Sequence, residues 1–78
     1  MFEEDPAMLN IKIGIRVQML RKRKGIPSDV IANRLGITIG YLLLLESGER
    51  ILEPLHLIIL SREFKVSVDY IIRGDSYN

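Results

Sequence analysis

Cysteine is absent from the chain, and histidine occurs once, at position 56. Without cysteine there is no disulfide framework and no thiolate metal site, and one histidine rules out a His-rich zinc site. No metal and no cofactor are expected, and His56 reads as a surface or rim residue. Long hydrophobic runs are missing too. The longest, 41–45 and 57–60, fall far short of the ~20 residues that span a bilayer. The N-terminus is acidic and has no apolar stretch followed by small residues, so it is not a signal peptide. A cytoplasmic protein with no membrane partner is the expectation. Alternating runs joined by a hairpin dipeptide are also missing, which argues against a sheet. There is no nucleophile beside a base, no phosphate loop and no pair of catalytic carboxylates, so the sequence does not read as an enzyme.

The 78 residues are 47% apolar, too many for a disordered chain and enough for one domain with one modest core. Net charge is only +1, but it is unevenly spread. Residues 11–34 carry seven Lys and Arg against Asp29 alone, while both flanking segments are net acidic. Such a block fits a nucleic-acid footprint. It equally fits a solvated helix end, where basic side chains meet the negative end of the helix dipole.

Glycine and proline divide the chain into five short helical segments. Residues 1–8 read as an acidic, flexible arm. A first helix is expected over about 9–24, with Ile13, Val17 and Leu20 at helical spacing and the basic run before Gly25 as its stop. Pro27, Ser28 and Asp29 open a second helix, with Ser28 as its cap, and Gly36 closes it. Thr38 caps a third, running from 39 to 46 or 47 and ended by Gly48. Glu53-Pro54 opens a fourth that reaches about 64. Ser67 caps a fifth over 68–73, ended by Gly74, and 75–78 form a polar tail. The expected core is Ile13, Val17, Leu20, Ile31, Leu35, Leu42, Leu45, Ile58, Phe64, Val68 and Ile71.

Residues 27–46 are the informative stretch. A helix of about eight residues ends at Leu35-Gly36, and another begins at Thr38. Ala32 sits where two helices approach closely, and Gly36 where the chain turns with positive φ. This is helix-turn-helix spacing, although an ordinary helical hairpin has the same outline. The chain resembles the Cro/repressor-type, or XRE, helix-turn-helix family. The matching residues are Ile13-Gly14, Arg16-Val17, Leu20-Arg21, Lys24-Gly25, Ile31-Ala32, Leu35-Gly36-Ile37-Thr38, Leu42, Glu46, Gly48, Arg50 and the run from Val66 to Gly74. They cover roughly residues 11–75. The resemblance implies an all-α, five-helix, lambda-repressor-like domain over 9–74. It also implies a dimeric transcriptional regulator that binds double-stranded DNA with its third helix in the major groove. Arg21 and Glu46 fall where the family pairs an Arg with a Glu, implying a structural ion pair between the first and third helices.

By the same resemblance, Ile39, Gly40, Leu43 and Leu44 occupy base-reading positions, where the family usually carries polar side chains. Base edges are read by hydrogen-bonding groups, and apolar ones meet only the thymine methyl. None of these four side chains can donate or accept. Ser28, Arg34, Thr38, Tyr41 and Arg50, together with the helix N-termini, are left as candidate backbone contacts. Ile51, Leu52, Leu55 and Ile59 add further apolar side chains that this fold leaves outside its core, and such a patch marks an interface. No separate dimerisation domain is expected after residue 78, so the expected homodimer uses Ile51, Leu52, Leu55, Ile59, Tyr70 and Ile71. A second reading keeps the fold and assigns Ile39, Leu43 and Leu44 to a groove on a protein partner.

Overall fold

Asp5 starts the first helix. Its Oδ1 accepts the Ala7 N–H at 3.0 Å, and Pro6 takes the first helical position, where a missing N–H costs nothing. The computed structural model describes residues 5–74, and among these there are five α-helices and no strand. They are α1 (Pro6–Arg23), α2 (Ser28–Leu35), α3 (Ile39–Ser47), α4 (Pro54–Phe64) and α5 (Val68–Arg73). Helix α1 thus begins three residues before the expected start at 9, because Asp5-Pro6 is itself a helix-start pair. The first four residues of the expected arm and the whole expected tail lie outside the described residues.

The other caps follow local chemistry. Thr38 Oγ1 accepts the Tyr41 N–H at 3.0 Å, and Ser67 Oγ accepts the Tyr70 N–H at 2.9 Å. His56 joins the cap of α4, its Nδ1 accepting the Glu53 N–H at 3.2 Å. Ser28 departs from expectation. Pro27, extended at φ −63° and ψ 152°, is the N-cap of α2, and Ser28 is the first helical residue with no side-chain cap in that turn. The Pro27 carbonyl already receives the first helical bonds, from Val30 and Ile31, so the helix begins one residue earlier than a Ser28 cap would require.

The buried core is Val17, Leu20, Ile31, Ala32, Leu35, Leu42, Leu45, Leu60, Phe64 and Ile71, with Ile13 half-buried against it. Two expectations fail. Ile58 is 43% exposed while Leu60 is fully buried, and Val68 is only half-buried. Residues 57–60 are all apolar, so their sequence carries no periodicity to say which faces in. The packing of α4 on α2 and α5 decides it.

Helix α1 lies against the end of α3, and Gly14 makes this possible. A Cβ at Gly14 would stand 2.6 Å from the Leu45 carbonyl oxygen and closer still to that of Glu46. Beside this contact, Arg21 Nε meets Glu46 Oε2 at 2.7 Å and its terminal nitrogen reaches Oε1 at 3.3 Å. The two side chains are only 10% and 2% exposed. This is the expected ion pair, in the forked geometry that guanidinium offers a carboxylate. Arg21 also donates to the Ile26 carbonyl at 3.3 Å, so one side chain ties α1, α3 and the turn before α2. Arg16 does similar work at the other end of the chain, donating to the carbonyls of Ile71 and Ile72 at 2.6 and 3.1 Å. It places a cation at the negative end of α5.

Candidate nucleic-acid interface

The second and third helices are joined by three residues. Gly36 sits at φ 73°, a left-handed conformation that disfavours a Cβ. The Ile37 N–H then reaches back to the Ala32 carbonyl at 2.9 Å, closing α2. The chain turns through 96° between α2 and α3, within the range of helix-turn-helix units. Buried Ile31, Ala32 and Leu35 on α2 and Leu42 and Leu45 on α3 hold that angle.

Because Leu42, Leu45 and Glu46 point inward, Ile39, Gly40, Leu43 and Ser47 face out. Ile39 is 44% exposed and Leu43 50%. A Cβ on Gly40 would meet nothing nearer than Thr38 Oγ1 at 3.9 Å, so the surface is open there. Leu44 is half-buried and Tyr41 likewise. Of the four positions expected to face bases, three are on the outer surface and Leu44 is turned partly inward. The Ser47 hydroxyl is engaged at the helix end, with its one O–H within donating distance of either the Leu44 carbonyl at 3.1 Å or Glu49 Oε2 at 2.9 Å.

The candidate backbone contacts are dispersed. Thr38 is exposed at the start of α3, with its hydroxyl oxygen accepting the Tyr41 N–H. Ser28 is half-buried in the first turn of α2. Arg34 ends α2 and lies 3.8 Å from Glu63 on α4, with its guanidinium largely exposed. Arg50 follows the C-terminal end of α3 and borders a cavity of about 240 Å³ with Leu9, Ile13, Leu45, Ile51 and Leu52. It is therefore beside the apolar loop, at the opposite end of α3 from Thr38 and Ile39. The basic run Arg21–Lys24 is split by the fold. Arg21 is buried in its ion pair, and Lys22, Arg23 and Lys24 are exposed around the end of α1.

A helix-turn-helix family model matches residues 17–71, more than half of the chain. The chain belongs to this helix-turn-helix family, of the XRE type. The domain shares its architecture with the crystal structure of the restriction-modification controller protein C.AhdI from Aeromonas hydrophila, at 25% identity and a TM-score of 0.72 over 83% of this chain and 97% of that one. No curated protein matches the chain. As a member of the family, this helix-turn-helix domain is a DNA-binding regulator of transcription, with α2 and α3 as its bihelical unit.

Of the surface offered for a dimer, Ile51 and Leu55 are strongly exposed, at 65% and 64%. Leu52, Ile59 and Tyr70 are half-buried against the core. Ile71 is fully buried and does not belong to that surface, because α5 packs on α1 and α4 with this side chain in the core. Ile58, expected inside, is exposed on α4 in the same neighbourhood as Leu55. Ile71 is thus removed from that candidate surface, and Ile58 is exposed beside it. Sequence reasoning named Arg16 only as a family match and gave it no partner, since the carbonyls it meets are more than fifty residues away.

Proposed function

We propose that this regulator binds operator DNA as a homodimer, with α3 in the major groove of each half-site. The observation that carries the reading is the outward stripe of α3, Ile39, Gly40 and Leu43, standing free on the second helix of the bihelical unit. Apolar side chains there favour thymine methyl groups, and Gly40 lets the helix approach the bases closely. Register on the duplex comes from Ser28, Thr38, the N-termini of α2 and α3, and the exposed guanidinium of Arg34. One domain reads few base pairs, so two copies engage half-sites about one helical turn apart. Ile51, Leu55 and Ile58 supply the contact between them, on a surface separate from the stripe on α3.

Selection from a random-sequence duplex pool, followed by a gel shift of the enriched duplex, tests this. A T-rich half-site repeated as an inverted pair is expected, with log affinity falling against log salt by ~0.9 per phosphate neutralised. No enrichment at low salt refutes the reading. Leu55→Lys with Ile58→Lys should leave a monomer by sedimentation equilibrium and weaken operator binding.

A second reading is favoured by the exposure of Ile39 and Leu43, since neither side chain carries a hydrogen-bonding group. In it, the same stripe docks into an apolar groove on a protein partner. Leu43→Gln separates the two. Under the first reading it shifts the selected half-site away from thymine while salt-dependent DNA binding persists, and under the second it abolishes partner capture.

A further inference from the structure

The ends of α1 and α4 meet the start of α5 around a cleft of about 410 Å³. Its floor is apolar, made by buried Leu20 with half-buried Val66 and Tyr70. Its rim is cationic. Arg23 and Lys24 come from the end of α1 and Lys65 from the end of α4, all three exposed, and no acidic residue lines the cleft. Among the described residues, none of these three side chains is held in an ion pair or a hydrogen bond. The next cleft along α1 differs. There Arg16 is bonded to the Ile71 and Ile72 carbonyls, and Arg73 to Asp69 at 3.1 Å. At the edge of the first cleft, the Ser67 oxygen accepts the Tyr70 N–H and its hydroxyl keeps a hydrogen to donate.

Lys65 supplies a second observation. Helices α2, α3 and α5 each end on a glycine with positive φ, whereas α4 ends on Lys65 at φ 58°. A side chain in that conformation carries a backbone cost that glycine avoids. The helix dipoles account for a cation at each helix end. They do not account for three cations converging on one apolar-floored cleft without an acid among them, where they repel one another until an anion enters. We infer that this cleft binds a small organic anion, a phosphate or carboxylate carried on an apolar or aromatic body. Its volume suits one such molecule. The cations and the Ser67 hydroxyl receive the anionic group, and Leu20, Val66 and Tyr70 receive the body.

The position of the cleft favours a small molecule over the DNA backbone. The start of α4 lies beside the start of α3, where Glu53 and His56 share a cavity with Thr38 and Tyr41. Lys65 is at the other end of α4, roughly 16 Å along its axis for a helix of 11 residues. The end of α2 is there as well, through Arg34 and Glu63. The cleft is therefore remote from the helix starts that offer N–H groups to a duplex, and a molecule bound in it leaves the outward stripe of α3 uncovered.

Titration of the full chain with phenyl phosphate, followed by amide chemical shifts, tests this. Inorganic phosphate and benzyl alcohol serve as the charge-only and ring-only controls. Phenyl phosphate should shift the amides of residues 23–24 and 65–70, and bind at least about tenfold tighter than either control, because only it uses both rim and floor. Lys65→Gly should weaken it by about threefold, and Lys65→Gly with Lys24→Gln by about tenfold, the range for exposed charge pairs. Glycine suits the left-handed backbone at position 65, so the single variant should melt no lower than the parent and its loss of binding is not a loss of fold. The inference is overturned if inorganic phosphate binds the cleft as tightly as phenyl phosphate, or if the double variant binds phenyl phosphate like the parent. It is also overturned if the shifts fall on the starts of α2 and α3 instead of the cleft. A double variant that loses affinity for a random duplex, with no phenyl phosphate bound in the parent's cleft, would assign the cations to the DNA backbone and likewise overturn it. The titration uses no operator, so its failure leaves the reading of α3 untouched.

Discussion

Gly14→Ala and Gly40→Ala are the same substitution in two helices of this domain, and they should move stability in opposite directions. Helix propensity alone makes both favourable, by ~1 kcal/mol in a helix interior. At Gly40 that gain is available, because a Cβ there has no neighbour closer than 3.9 Å. At Gly14 the new Cβ would meet the backbone carbonyls of Leu45 and Glu46, the first at 2.6 Å. Ordinary carbon–oxygen contact needs the better part of an ångström more. Backbone oxygen cannot rotate away as a side chain can, so α1 must move off α3. That shift also pulls Arg21 from Glu46. Overpacking of this kind costs ~1–3 kcal/mol, and contact with a rigid partner puts it at the upper end. Net of the propensity gain, Gly14→Ala should lose about 2 kcal/mol. For a domain of this size each kcal/mol moves the melting temperature by roughly 4–8 °C. Thermal unfolding followed by circular dichroism should thus show Gly14→Ala melting roughly 8–16 °C below the parent and Gly40→Ala slightly above it. A Gly14→Ala protein that melts at or above the parent would refute the close approach of α1 and α3.

Three other outcomes are expected. Glu46→Ala leaves the Arg21 guanidinium buried without its carboxylate and should cost ~3–5 kcal/mol in urea unfolding, whereas Arg21→Met with Glu46→Leu should recover much of that loss; a double variant no better than Glu46→Ala would mean that the forked pair is itself strongly stabilising. Leu42→Ala, at a fully buried position, should cost ~2–5 kcal/mol in the same assay, and an unchanged midpoint would remove Leu42 from the core. Lys65 holds φ 58° at the end of α4, so Lys65→Gly should relieve local strain and raise stability by up to ~1 kcal/mol; a clear loss would show that the lysine side chain contributes more than its backbone costs.

The sequence by itself determined most of the helix ends, the start of α1 and the cap of α2 being the exceptions. Thr38 and Ser67 cap as their hydroxyls dictate, Pro54 opens α4, and Gly36 turns the chain with positive φ, all through bonds between residues a few positions apart. The family match on Arg21 and Glu46 anticipated the ion pair, and the free outer stripe at Ile39 and Leu43 followed once α3 was given its inward Leu42 and Leu45. Only the tertiary structure decided which face of an all-apolar segment is inside. In α4 the four apolar residues from Leu57 to Leu60 offer no contrast, and contacts with α2 and α5 choose Leu60 over Ile58. Burial of Ile71 and the pairing of Arg16 with the last carbonyls of α5 likewise depend on where α5 returns to α1. Gly14 looks like a helix defect in sequence, yet it is the point of nearest approach between two helices. Caps and turns are short-range and leave a residue-by-residue signature. Burial is a choice among faces of similar chemistry, made by whichever neighbours the chain brings back from a distance.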